Sequence, residues 1–248
     1  GYDEVTVVNS DGSYTRNLFT NYGPDENAVS HFDMAPDGSL GWDANLDTYI
    51  PFSSLEGERG KPTGVYEYKA NNTLVQKTQT VYRNDPGRFS DFIKFINFAG
   101  SYGNLYCSNN ALIFATANRL FKYNYYPVST TVTKYNDNGS PSLQQTTEFT
   151  YNSRSLVKTE KTYDSKNAPV LTTYKYPDEY GTSVYPAMVA ANMVAPVIEK
   201  SVTVNGQPRS LVQTDYYQPF TGMFVPHTIS IKNGNNPLEL REQVNAYN

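Results

Sequence analysis

From residue 130 to residue 176 one pattern recurs: a Thr-rich run, a closing Tyr, then a short polar turn. It reads as consecutive strands over 130–135, 143–151, 156–163 and 170–176. The connections are Asn136-Asp137-Asn138-Gly139, Asn152-Ser153-Arg154-Ser155 and Asp164-Ser165-Lys166-Asn167. Connections this short force neighbouring strands to run antiparallel. The period of two puts Leu143, Phe149 and Tyr151 on one face and Gln144, Thr146, Glu148 and Thr150 on the other, which suits water. The pattern is informative about architecture and nearly silent about chemistry.

Other stretches carry related signals. Asp11-Gly12 separates two β-like runs, and so do Ala70-Asn71-Asn72 and Asn205-Gly206, all hairpin signatures. The run 224–232, the turn Asn233-Gly234-Asn235-Asn236 and the run 238–247 give a last hairpin. Around Val184, Met188 and Ala191 the spacing is helical instead, and one short helix is expected near 183–193. Ser183 is the candidate N-cap and Pro196 the stop. The expected fold is therefore all-β: antiparallel meander and hairpin repeats forming an extended twisted sheet, with that one helix.

Two stretches break the rhythm. Residues 21–47 are rich in Gly, Pro, Asp and Asn and read as a long ordered loop pinned by Phe32 and Trp42. After the strong turn Asp85-Pro86-Gly87, residues 89–98 fit helix or strand, and 111–125 reads as strand. The expected organisation is a hairpin region at 1–83, an irregular aromatic-rich insertion or connecting layer at 84–126, and the repeat region at 127–248.

Composition bounds the function. Hydrophobic residues make up only 38% and charged ones 18%, yet the chain has 22 Tyr, 12 Phe and a net charge of only -4. Disorder pairs low hydrophobicity with high net charge; this chain instead covers itself with aromatic rings on wet strands. Mild acidity and scattered Lys and Arg argue against nucleic acid. No stretch approaches the roughly 20 apolar residues of a membrane helix. Cys107 stands alone, which excludes an internal disulfide and a cysteine-built zinc site. The chain opens directly into a strand-like pattern, as expected of a processed chain or a piece of a longer one.

The candidate chemistry is thin. His31 and His227 are the two histidines, and no Gly-x-Ser-x-Gly elbow accompanies them. Asp33, Asp37, Asp43 and Asp47 crowd one loop and offer calcium-type oxygens without the expected loop spacing. Glu56 and Glu58 suggest a glycosidase pair but read better as an exposed turn. No cofactor and no metal ligand set is expected. Loop aromatics Trp42, Phe32, Tyr102 and Tyr106 are the candidate ligand-binding residues, for a glycan or a protein partner.

The turns Tyr135-Asn136-Asp137-Asn138-Gly139, Tyr151-Asn152-Ser153-Arg154-Ser155-Leu156 and Tyr163-Asp164-Ser165-Lys166-Asn167 resemble the repeats of the bacterial Rhs/YD-repeat family. So do Glu58-Arg59-Gly60-Lys61 before a hairpin and the segment from Ala187 to Met193 followed by Pro196-Val197-Ile198-Glu199. Only Tyr163-Asp164 keeps the literal Tyr-Asp pair. The resemblance implies a long β ribbon, coiling into a shell or rod, in a secreted or cell-surface protein whose partners are further repeats of the same chain. In the family such shells enclose toxins released by self-cleavage. Nothing here resembles the toxin or the cleaving segment, so the expected role is a structural scaffold without catalysis. A binding module using the aromatic loops is the alternative.

Overall fold

The computed structural model describes residues 2–40, 52–102 and 111–244. The fold is all-β and antiparallel. Twelve strands hydrogen-bond in one sheet and three in another. In chain order these are β1 (Glu4–Val8), β2 (Tyr14–Phe19), β3 (Gly38–Leu40), β4 (Pro62–Tyr68), β5 (Leu74–Tyr82), β6 (Phe92–Tyr102), β7 (Ala111–Phe121), β8 (Pro127–Tyr135), β9 (Pro141–Tyr151) and β10 (Val157–Tyr163). Then follow β11 (Pro169–Lys175), α1 (Tyr185–Ala190), β12 (Glu199–Val204), β13 (Gln207–Phe220), β14 (Met223–Asn233) and β15 (Glu239–Gln243). The large sheet keeps sequence order, β1-β2-β4-β5 and then β8 through β15; the small one is β3-β7-β6. The chain divides into two compact units, Gly1–Pro127 with Thr133–Leu143, and Val128–Val132 with Gln144–Asn248.

One loop geometry builds five of the hairpins, while others differ: β12 and β13 close on the two residues Asn205-Gly206. In residues 9–13, 69–73, 136–140, 152–156 and 164–168 the first residue's N–H donates to the carbonyl of the fifth, and the fourth residue's N–H donates back to the first carbonyl. The fourth residue has positive φ each time: Gly12, Asn72, Gly139, Ser155 and Asn167. This is the type I turn closed by a left-handed residue, a common three-residue hairpin loop. A side-chain oxygen secures it in one of two ways. Asn152 and Asp164, at the first position, accept from the N–H groups of the third and fifth residues. Asp11, Asn71 and Asn138, at the third, accept from the fifth N–H, and Asp11 and Asn138 also from the fifth residue's hydroxyl.

The left-handed residue gives a direct test. A Cβ added at Gly139 meets nothing within 4 Å, so Gly139→Ala should cost only the left-handed penalty of about 1–2 kcal/mol. At Gly12 the same Cβ would stand 3.1 Å from Cβ of Ala70. Gly12→Ala should therefore cost more, and urea unfolding of the two variants compares them.

The strands contain little deep core. Every residue of β11 and all but the last of β10 are half-buried. Cross-strand hydroxyl pairs such as Thr131–Thr146 (2.9 Å) and Thr150–Thr159 (2.6 Å) tie neighbours together. Leu143, expected to share a face with Phe149 and Tyr151, is exposed instead, as is every residue of β9 from Pro141 to Gln145. Two buried tyrosines close strand pairs alike. Tyr82 ends β5 and donates to the Pro62 carbonyl; Tyr176, just past β11, donates to the Val157 carbonyl.

Several expectations are corrected. The helix is shorter than 183–193, and Ser183 does not cap it: Ser183 has φ +62, and Val184 stands at the cap position without a side-chain bond. A six-residue helix lives on packing rather than propensity. The stretch that fitted helix or strand is resolved as strand: residues 92–102 pair in unbroken register with β7. The stretch read as a long loop contains β3, the bridges Pro24↔Ser30 and Met34↔Ser53, and a sixth copy of the hairpin turn at 25–29, with Ala28 in the left-handed position.

Candidate functional site

Charged side chains are almost never fully buried unless paired, so the informative place is where this chain buries several. The loop before β3 delivers Asp25 and His31. The 3-10 turn Glu56–Glu58 delivers Glu58, and the 3-10 turn Pro86–Ser90 delivers Arg88. The side chains of Asp25, His31, Glu58 and Arg88 are each at most 5% exposed. Glu58 had read as an exposed turn residue; the turn exists, but it points this carboxylate inward.

Glu58 is the hub. Its Oε1 accepts from Nε of Arg88 at 2.7 Å and from the Tyr123 hydroxyl, while Oε2 lies 2.9 Å from Nδ1 of His31. Burial pushes the Glu58 carboxyl up, but the bonds from Arg88, Tyr123 and His31 outweigh it and hold the group below its ordinary value. The carboxylate is thus an acceptor only, so Nδ1 of His31 carries the proton. Nε2 of His31 stands 3.5 Å from Oδ2 of Asp25 without a hydrogen bond. The other oxygen of Asp25 accepts from the N–H groups of Asn27 and Val29, so one carboxylate serves both the hairpin turn and the network. Arg88 also donates to the Asp85 carbonyl at 2.9 Å and lies over the Phe89 ring.

Aromatic rings roof the network. Tyr125 stacks on Tyr82 at 5.0 Å and meets His31 edge-on at 5.7 Å. Burial raises the Tyr123 and Tyr125 hydroxyls, and the nearby Glu58 charge raises them further.

In front of the network is a cleft of about 360 Å³, lined by Tyr2, Val5, Phe19, Tyr22 and Arg59 among others. Its wall is fastened to the buried charges. The buried Thr20 donates to the Glu58 carbonyl and accepts from the Lys61 N–H. Arg59 donates to the His31 carbonyl and to Asp33 at 2.6 Å, and its guanidinium lies 4.2 Å from the centre of the Tyr22 ring.

No family model, curated protein or solved structure matches this chain.

The candidate residues fare unevenly. Trp42 and Tyr106, like Asp43, Asp47 and Cys107, lie outside the described residues. Tyr102 is the last residue of β6. Phe32 is exposed, one residue from the buried His31. The acidic loop residues are drawn apart: Asp33 pairs with Arg59 and Asp37 with Arg119. Among the described residues no group of His, Cys, Asp and Glu is arranged to hold a metal ion. His227 packs on Tyr217 at 4.8 Å. The pairing of His31 with Glu58 and Arg88 has no local signature, since these partners stand 27 and 30 positions from one another along the chain.

Chemically, the arrangement orients a histidine against a carboxylate, as a catalytic base is oriented. The second half of such a device is missing. Nε2 of His31 faces a carboxylate rather than a hydroxyl or thiol, and the ring is wholly buried. What the network does is join the loop before β3, the turn before β4 and the turn before β6. Acid should loosen it. A carboxyl held below its ordinary value stabilises the fold fully above that value, here 4.5, and loses the contribution as pH falls through the lower folded value. Unfolding free energy measured from pH 6 downward should drop below about pH 4.5. Glu58→Gln should lack its share of that slope.

Proposed function

We propose that the chain is a structural scaffold: a hairpin-repeat segment of a larger bacterial surface or secreted protein of the Rhs/YD-repeat type, without catalysis of its own. The observation that carries this reading is the single loop geometry used in five hairpins of one sheet, with Tyr68, Tyr135, Tyr151 and Tyr163 each standing directly before the turn. A unit that repeats its turn chemistry extends a sheet by adding hairpins, and a sheet extended this way supports or encloses other parts. The buried network fits the same role, because its polar groups are spent on bonds between loops rather than aimed at a cavity.

Two measurements test the reading. Purified chain assayed against chromogenic esters, peptides, glycosides and phosphate esters should show no turnover above a heat-denatured control. A hydrolysis rate abolished by Glu58→Gln or His31→Gln would replace the scaffold with an enzyme. On cells producing the natural protein, a membrane-impermeant biotin reagent should label it without lysis; labelling only after lysis would remove the surface assignment.

A further inference from the structure

Among the described residues, β1 and β15 are the outer strands of the twelve-strand order, and they are protected differently. β15 carries Glu239, Arg241 and Glu242, and its pairing with β14 shifts register between Ile229 and Ser230. Charges and bulges are the usual means of keeping a further strand off an edge. β1 has neither defence. Its register with β2 is unbroken, it contains no proline, and its one charge, Glu4, is matched by Arg16 at 2.7 Å. All of β1 is exposed, with Val7 at 53% and Val8 at 68%.

The hydrogen bonds say which groups are on offer. Phe19 N–H donates to the Asp3 carbonyl and Asn9 N–H to the Ser13 carbonyl. Asp3, Val5, Val7 and Asn9 therefore turn their main-chain groups toward β2, and Glu4, Thr6 and Val8 turn theirs outward. Beside this edge lies the cleft that Tyr2 and Val5 line together with Phe19 and Tyr22, with Arg59 of the same lining already committed to Asp33. A row of main-chain groups unpaired among the described residues, with an adjoining side-chain pocket, is what recognition by strand addition requires.

Charge selects the occupant. Asp3 precedes β1 and Asp11 follows it. A second copy docking its own β1 would set acidic ends against acidic ends in either strand direction. A strand with basic ends meets opposite charge. We propose that the β1 edge binds an extended peptide segment of another protein, which adds a strand beside Glu4, Thr6 and Val8. It seats one large apolar side chain in the Tyr2–Tyr22 cleft and brings Lys or Arg toward Asp3 and Asp11. The proposal goes beyond the scaffold reading; a further hairpin of the same chain paired with β1 would take the place of the peptide and overturn it.

The test uses the full chain and a fluorescein-labelled peptide, Lys-Thr-Val-Thr-Phe-Thr-Val-Thr-Lys. Anisotropy should saturate and weaken with added salt. Thr6→Pro removes an outward N–H and no bond to β2, so circular dichroism should be unchanged while affinity falls at least about tenfold. Tyr2→Ala, at a side chain 81% exposed, should weaken binding without disturbing the fold. No saturation up to about 1 mM, equal binding by Thr6→Pro, or equal binding of the peptide with Glu ends would each overturn the proposal. So would self-association of the chain that Thr6→Pro abolishes, which would give the edge to a second copy.

Discussion

Replacing Arg88 by Ala should lower the free energy of unfolding by about 3–5 kcal/mol, the range seen when one partner of a buried ion pair is removed. The size follows from what is left behind. Glu58 would keep its ionised carboxylate with no access to water, and the remaining donors, Tyr123 and His31, bring no fixed positive charge. The Asp85 carbonyl would lose its side-chain donor as well, keeping only the N–H of residue 88. Arg119, paired with Asp37 at a site where both side chains are about 30% exposed, is the control; Arg119→Ala should cost at most about 1 kcal/mol. The double variant Arg88→Leu with Glu58→Leu should recover much of the loss, because it removes both charges together. Urea unfolding followed by circular dichroism measures all of them. If Arg88→Ala costs no more than Arg119→Ala, the network does not pin the three loops.

The sequence carries the hairpins and hides this network, for one physical reason. A turn is decided by neighbours. Asn or Asp at the first or third position accepts from backbone N–H groups two to four residues away, so Asn138, Asn152 and Asp164 could be read directly. Even there the left-handed residue is not always glycine: Ser155 and Asn167 take it because Asn152 and Asp164 hold two N–H groups each and fix the loop from its first residue. The buried charges depend instead on three segments meeting. Nothing local separates Glu56, which stays exposed, from Glu58, which does not. An acid in a Gly-flanked turn reads as solvated, and only the arrival of Arg88 and His31 makes burial tolerable.

The strand that could have been a helix follows the same logic. Phe92, Phe95 and Ile96 have helical spacing, but pairing with β7 along the whole of β6 satisfies the backbone instead. Long-range pairing overrides a short periodic signal. The helix that does form was legible in its composition and not in its ends. Ser183 looks like a cap, yet it sits at positive φ rather than in the extended conformation of a cap residue, and Val184 takes the cap position without a side-chain bond.

That helix leads to the second large effect. Met188→Ala should cost about 2–5 kcal/mol. Met188 is wholly buried against Tyr185 and Ile198, with Tyr180, Val184, Met193, Tyr216 and Phe224 packed around them. This is the one hydrophobic cluster formed by buried residues in the described part of the second unit. Tyr185 anchors it through a 3.1 Å bond to Asp215 of β13. Ile198 is held on both sides, its N–H by the Lys175 carbonyl and its carbonyl by the Thr214 N–H. Most residues of the surrounding strands are only half-buried, so little else can close a cavity here. An exposed leucine gives the contrast: Leu240→Ala, at 56% exposure on β15, should change stability by no more than about 0.5 kcal/mol. Amide exchange locates the effect. Met188→Ala should speed exchange at the Ile198 and Thr214 N–H groups and leave the Gly60 N–H, bonded to Thr20 in the first unit, unchanged. Equal acceleration at all three would mean that the two units unfold as one, and the cluster would then support the whole chain rather than its own unit.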